Sequence, residues 1–332
     1  MLEGAPSAAE LEEAQAVIAG QVPSTPAVAV PHLSAALGRE TWLKLECLSP
    51  IRSFKYRGGL CAVRAIKSSG AAGVVTVSTG NHGQGVAYAG RRLGVPVTVV
   101  APRFSEPGKL AAIRDLGGEV QLRGDTVTEA EAAAQEMAAA RDLLYLEDGE
   151  DRWLMAGAAT VLAELLEQAP PLDSVIVQVG GGNLVAASLL AARASGSQVQ
   201  IVGVQSTDAP SYALSFAAGT VVTTETSNTL ADGLATRVPD ADALAIIRKG
   251  ASRIVQVTDD EIRVAITALW TDTHNLAEGA GAAALAAALQ DKPKIRGKRV
   301  GLILSGGNID FDLFNRWVVP QAAAFAGSKA LV

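Results

Sequence analysis

Short apolar, β-branched runs alternate along this chain with Ala-rich stretches of helical length, and this alternation constrains the fold more than any other feature. The runs at 41–46, 73–78, 96–101, 119–123, 143–146, 174–179, 200–205, 253–257 and 299–304 read as strands. Several are apolar throughout, as a strand must be when both its faces are covered. Between them, 54–67, 83–93, 109–116, 127–141, 153–167, 184–194, 259–271 and 277–290 read as helices. Repeated βα alternation predicts an α/β protein with parallel-rich twisted sheets and helices on both faces. The Ala-rich stretches 132–140 and 280–288 suit helices packed closely on a sheet.

Composition narrows the function classes. With 332 residues, 49% of them hydrophobic and 19% charged, the chain can bury one large or two moderate cores. Its 28 Lys and Arg against 34 Asp and Glu leave a net charge of −6, so no nucleic-acid partner is expected. No uninterrupted apolar run of ~18 residues is present, so no membrane span is expected. Met1-Leu2-Glu3-Gly4 does not open a signal peptide. Cys47 and Cys61 form no CxxC, and two buried thiols in a reducing cytoplasm are the expectation. The acidic turn Glu147-Asp148-Gly149-Glu150-Asp151 and the segment Ser49-Pro50-Ile51-Arg52-Ser53 read as crossings between two lobes. The expected domains are a small one over 47–150 and a large one combining 1–46 with 151–332.

In open α/β sheets, ligands bind beyond the carboxyl ends of strands. Four polar or glycine-rich turns fall there: Ser53-Phe54-Lys55-Tyr56-Arg57-Gly58, Thr79-Gly80-Asn81-His82-Gly83, Gly180-Gly181-Gly182-Asn183-Leu184 and Ser305-Gly306-Gly307-Asn308. The triple glycine lets backbone N–H groups approach an anion at a helix start. It lacks the third glycine of G-x-G-x-x-G and the trailing lysine of a Walker loop, which leaves a site for one phosphate. A tight strand–helix turn with close packing is the plain alternative. Lys55 stands at a predicted helix start with Arg52 and Arg57 nearby, a setting that disfavours an ammonium and suits an amine able to form a Schiff base. A solvated lysine is the alternative there. A phosphate site together with such a lysine points to pyridoxal phosphate. Ser78, Thr79, Asn81 and the helix-start N–H groups can hold a carboxylate, and Asn81 a phenolate-type oxygen. His82 is read as structural rather than as a base, and no role is expected for His32 or His274. Ser305 offers a neutral hydroxyl. Opposite a pyridine nitrogen it would leave the ring a weaker electron sink, which suits β-elimination better than transamination.

These four segments, with Ala231-Asp232-Gly233 and Ala277-Glu278-Gly279-Ala280-Gly281, stand in a consistent order over about residues 20–320. The pattern resembles the serine/threonine dehydratase group of fold-type II, tryptophan-synthase-β-like pyridoxal-phosphate enzymes, which includes serine racemases and hydroxyaspartate dehydratases. The resemblance implies a two-lobed fold and a cytoplasmic homodimer. It implies that Lys55 carries the cofactor and later acts as the base on the α-carbon. Phe54 would pack beside the cofactor ring, Asn81 would bind its 3′-oxygen and Gly180, Gly181, Gly182, Asn183 and Leu184 would hold its phosphate. Ser305 would face the pyridine nitrogen, and Glu278 would lie near the ring. Ser78, Thr79, Asn81 and His82 would take the substrate carboxylate, largely through backbone N–H groups.

Departures from the family pattern refine these expectations. Asn183 replaces the usual fourth glycine, and Thr79 stands where racemases carry a second serine. The stretch Gln205-Ser206-Thr207-Asp208 holds too few acidic oxygens for a divalent cation, so no metal is expected. Gly157-Ala158-Ala159-Thr160 replaces the usual Gly-Gln-Gly-Thr, and Thr236, Ala158 and Ala159 are the expected lining of the distal substrate pocket. A C-terminal regulatory domain is not expected. The expected reaction is removal of water and then ammonia from a β-hydroxy amino acid, L-threonine, L-serine or a 3-hydroxy analogue, to give a 2-oxo acid. Racemisation or β-replacement is the alternative on the same cofactor, and a non-catalytic binding protein the alternative of another class.

Overall fold

Alternating strands and helices recur from one end of the chain to the other. A computed structural model describes residues 4–149 and 151–320. Glu150 of the expected acidic turn and 321–332 of the expected large domain lie outside the described residues. In chain order the elements begin with α1 (Ala8–Ala19), β1 (Ala27–Ala29), α2 (Pro31–Leu37), β2 (Glu40–Leu45), α3 (Lys55–Ser69), β3 (Gly73–Val77) and α4 (Asn81–Leu93). Then come β4 (Val97–Ala101), α5 (Pro107–Asp115), β5 (Glu119–Leu122), α6 (Val127–Arg141), β6 (Leu143–Tyr145) and α7 (Arg152–Gln168). They continue with β7 (Ser174–Gln178), α8 (Asn183–Ala194), β8 (Gln200–Ser206), α9 (Ser211–Ala218), α10 (Ala241–Gly250) and β9 (Arg253–Val257). The last are α11 (Asp259–Thr273), α12 (Gly279–Gln290), β10 (Arg299–Leu304) and α13 (Phe311–Trp317).

All nine expected strands are present within a residue or so of their expected ends. The reading passed over β1, α1, α2, α9, α10 and α13. Three of these carried a capping side chain: Ser7 and Glu10 form a capping box on α1, Asp240 caps α10 and Asp310 caps α13. The helices α4 and α8 begin earlier than expected, at Asn81 and Asn183, because a glycine precedes each and no side chain marks the start.

The chain divides into two compact units, one of residues 1–24 and 53–160, the other of 25–52 and 161–332. The sequence reading put 1–24 with the second unit's residues and drew the other boundaries at 47 and 150. The division after 160 falls inside α7, where no loop or composition shift marks it.

The first unit holds a four-stranded, fully parallel sheet in the order β5-β4-β3-β6. Its β4 is buried at every position, as a strand covered on both faces should be. On one face α6 turns Ala130, Ala134 and Met137, spaced four and three apart, onto Val75 and Val100. The second unit holds a six-stranded sheet in the order β1-β2-β10-β7-β8-β9. Only the β1–β2 pair at its edge is antiparallel. Here α12 is buried over Gly279–Ala288 and packs in one core with Leu43, Ile176, Val204 and Leu302. Alanine suits that position, since a helix enclosed on all sides must come close to its neighbours.

Each parallel sheet reverses its strand order once. In the first unit β3 has β4 on one side and β6 on the other; in the second β7 has β8 on one side and β10 on the other. Loops at the carboxyl ends of such a strand pair diverge and leave a crevice where α/β proteins bind ligands.

Candidate active site

At the switch point of the first unit, β3 runs into Ser78, Thr79 and Gly80, and α4 starts at Asn81. Ser78, Thr79, Gly80 and Asn81 are half-buried, and the Ser78 hydroxyl accepts the Gly80 N–H at 3.1 Å. The N-cap Gly80 makes no side-chain cap hydrogen bond to α4. The His82 ring is buried beneath this turn. The Thr76 hydroxyl donates to the Leu146 carbonyl at 2.7 Å and meets His82 Nε2 at 2.9 Å. Burial lowers the His82 pKa, the Asp148 charge opposing it and the Lys55 charge adding to it. The ring is therefore a neutral, anchored group, in keeping with the structural reading.

Lys55 is the first residue of α3, a helix with no side-chain cap and no acid in its first turn. The α4 backbone presses on it: a Cβ added at Gly85 would come within 2.7 Å of the Lys55 carbonyl oxygen. Its amine donates to Asp148 Oδ1 at 2.5 Å and lies 5.8 Å from the centre of the half-buried Phe54 ring. The arginines expected beside the amine are engaged elsewhere. Arg57 is buried and donates to Thr160 Oγ1 at 2.8 Å, while Arg52 donates to Asn308 Oδ1 at 2.9 Å. Asp148 is the residue that sequence reasoning missed. It follows β6, whose carboxyl end adjoins that of β3, but its loop was read as a crossing between lobes. Applying the rule of strand carboxyl ends to 143–146 as well would have found it. Against desolvation, its neighbours His82 and Lys55 lower the Asp148 carboxyl, so it is ionised at neutral pH.

At the switch point of the second unit, β7 leads into Gly180-Gly181-Gly182-Asn183 and α8. Gly182 has φ +86°, the left-handed region that glycine adopts without strain. Open space lies where a Gly181 side chain would be. The turn is braced by Tyr212, whose buried hydroxyl donates to the Gly181 carbonyl at 2.7 Å and accepts the Asp240 N–H at 3.0 Å. Leu184 is buried in the first turn of α8. Asn183 is also buried, and its side-chain oxygen has no hydrogen-bond partner. Beside this strand, β10 leads into Ser305, which is 4% exposed. The next residue, Gly306, accepts the Glu278 N–H at 3.1 Å, which brings the start of α12 to this end of β10. Gly180 meets the backbone of Gly233, which brings a further motif of the sequence to the same end of the sheet. Of the expected distal-pocket residues, Thr236 belongs to this unit, and Ala158 and Ala159 belong to the first, buried in α7.

Capping separates these helices from most of the rest. Side chains of Ser7, Glu106, Thr126, Asp240, Thr258 and Asp310 cap α1, α5, α6, α10, α11 and α13. The N-cap residues of the motif-bearing helices α3, α4, α8 and α12 make no side-chain cap bond, a trait shared with α2 and α9, though on α3 the Ser53 hydroxyl accepts the Lys55 N–H at 3.4 Å. Uncapped N-termini at strand carboxyl ends offer N–H donors and a positive dipole end to anions.

A family model described as "Pyridoxal-phosphate dependent enzyme" matches residues 18–306. The chain belongs to this family. Its cofactor is pyridoxal 5′-phosphate. Among the relatives of this pyridoxal-phosphate enzyme is an L-threonine ammonia-lyase of Geobacter sulfurreducens, 39% identical over 302 residues, covering 90% of this chain and 75% of that protein. Another is the L-threonine ammonia-lyase of Thermotoga maritima, 33% identical over 324 residues, covering 97% of this chain and 80% of that protein. Among solved structures, maize serine racemase matches with a TM-score of 0.89 and 29% identity, covering 98% of each chain.

The residues suit the cofactor of a pyridoxal-phosphate enzyme. The turn before α8 presents a glycine-lined helix start with no side-chain cap, whose N–H groups are the donors a phosphate requires. The Lys55 side chain ends in a primary amine, the group with which an aldehyde condenses. Among the described residues no helix is long and apolar enough to cross a membrane.

Proposed function

We propose that the protein removes water from a β-hydroxy amino acid, L-threonine, L-serine or a 3-hydroxy analogue, and releases a 2-oxo acid and ammonia. The likeness to two L-threonine ammonia-lyases, over 90% and 97% of the chain, carries this reading. Bound pyridoxal phosphate supplies the electron sink that makes the α-proton acidic. Lys55 would hold the aldehyde carbon through its amine and, as a free amine, would take the α-proton. Phe54 packs beside the ring, and the Asn81 amide donates to its 3′-oxygen. Ser78 and Thr79, with the first N–H groups of α4 at Asn81 and His82, receive the substrate carboxylate. Gly180, Gly181, Gly182, Asn183 and Leu184 receive the phosphate. Ser305 gives the pyridine nitrogen a neutral partner, and Glu278 lies near the ring. The proton on Lys55 and the hydroxyl leaving the β-carbon account for the water lost. A second water then releases ammonia. A homodimer in the cytoplasm is part of the same reading, and light scattering of the purified protein checks the dimer.

The test incubates purified, cofactor-loaded protein with L-threonine, L-serine and threo-3-hydroxyaspartate and follows 2-oxo acid and ammonia. Product from at least one is expected. No product from these or from bulkier 3-hydroxy amino acids overturns the proposal. Lys55→Ala should abolish the visible absorbance of the bound cofactor and lower turnover by about 10³-fold or more. The likeness to maize serine racemase favours a second reading, racemisation, with the Thr79 hydroxyl where racemases carry serine. Chiral analysis of recovered substrate separates the two.

A further inference from the structure

We propose that Asp148 is the positioning partner of Lys55, holding its amine in place whenever the amine is not bonded to the cofactor. The inference rests on the reading of Lys55 as the cofactor-binding lysine and goes beyond it, since nothing in that reading calls for a carboxylate in this loop. Three observations carry it. The Asp148 carboxylate directly accepts from the Lys55 amine, and both groups belong to the same compact unit. The topology explains the meeting: β6 pairs with β3 in parallel, so the loop after β6 emerges beside the turn that starts α4, and α4 packs backbone to backbone on Lys55. Finally, the ring beside the carboxylate is anchored on its own: His82 Nε2 meets the Thr76 hydroxyl at 2.9 Å, and its Nδ1 lies 3.4 Å from Asp148 Oδ1.

The chemistry needs such a partner for two reasons. Lysine has a long flexible stem, and its main-chain anchor alone leaves the amine free to sample many rotamers. A charge-assisted hydrogen bond selects one of them. An amine that has taken a proton also becomes a positive charge at the start of α3, where the helix dipole opposes it and no acid stands in the first turn. The ionised Asp148 offsets that charge.

The test uses the full chain and its Asp148→Asn, Asp148→Ala and Asp148→Glu variants. Each is stripped of cofactor and mixed with pyridoxal phosphate, and the visible band is followed in time. Each is also assayed loaded, and the melting temperature of the cofactor-free form is recorded. The Asn and Ala variants should capture cofactor about tenfold more slowly and lose about tenfold in kcat, with KM changed by less than about twofold, as for loss of one charge-assisted hydrogen bond. Glu should recover part of both rates, and melting temperatures should agree across the set. Wild-type rates in Asn and Ala overturn the proposal. So does a loss that Glu does not relieve and that follows the melting temperature. A wild-type protein that forms no band at all would instead overturn the reading of Lys55 itself.

Discussion

The Tyr212 phenol donates to the Gly181 carbonyl and accepts the Asp240 N–H, so one side chain joins the glycine turn to the start of α10. Burial raises its pKa, with the nearby Asp240 charge adding to the rise and the Asp240 N–H opposing it, so the hydroxyl stays neutral and serves as donor and acceptor at once. Tyr212→Phe removes both bonds and leaves two backbone groups unmet. Denaturant unfolding should show a loss of about 1–3 kcal/mol, and titration with pyridoxal phosphate should show weaker binding. Gly182→Ala is the harsher change. It forces a side chain into left-handed backbone and drives its methyl into the Tyr212 hydroxyl. The expected outcome is a folded protein that no longer retains pyridoxal phosphate on gel filtration. Nothing in the local sequence marks Tyr212, which lies 31 residues from the carbonyl it braces.

At the scale of elements, the α3–α4 pair decides where the Lys55 backbone stands. Gly59 and Gly85 let the two helices touch backbone to backbone, and at Gly85 the contact is with Lys55 itself. Gly85→Ala must separate the helices, and overpacking of this kind costs about 1–3 kcal/mol. Melting temperature should fall, and kcat should fall further than that loss of stability explains, because Lys55 moves with α3. A mutant that melts lower but turns over at the wild-type rate would show that the contact serves packing alone. Helix existence was legible from composition and spacing for both elements. Their mutual contact was not, since a glycine pair reads alike whether it faces solvent or another backbone.

Across the whole molecule, each compact unit buries one thiol, Cys61 in the first and Cys47 in the second. Burial pushes both up to about 12 from an ordinary 9.0; the Glu46 charge adds to the rise at Cys47. Neither should react with a thiol reagent at pH 8 until the protein unfolds. The same shift gives a stability profile. Below pH 9 the thiols are protonated in folded and unfolded chains alike, and their contribution is fully present. As pH rises through 9 toward 12, the unfolded chain releases protons that the folded one keeps, so stability falls. Urea unfolding at pH 8 and pH 11 should show this fall, and replacing both cysteines by alanine should reduce it. The expectation of two buried thiols agrees with the structure because an isolated cysteine behaves as a small apolar side chain.

Local chemistry was enough to determine the strands, most of the helices and the order of the glycine-rich turns, because periodicity and backbone conformation act over a few residues. The amine at 55 and the glycines at 180–182 belong to that local record. Which strand lies beside which is decided by hydrogen bonds between segments far apart in the chain. The pairing of β6 with β3 and of β10 with β7 leaves no local trace. That pairing brings Asp148 to Lys55 and sets Ser305 and Glu278 at the same sheet end as the glycine turn.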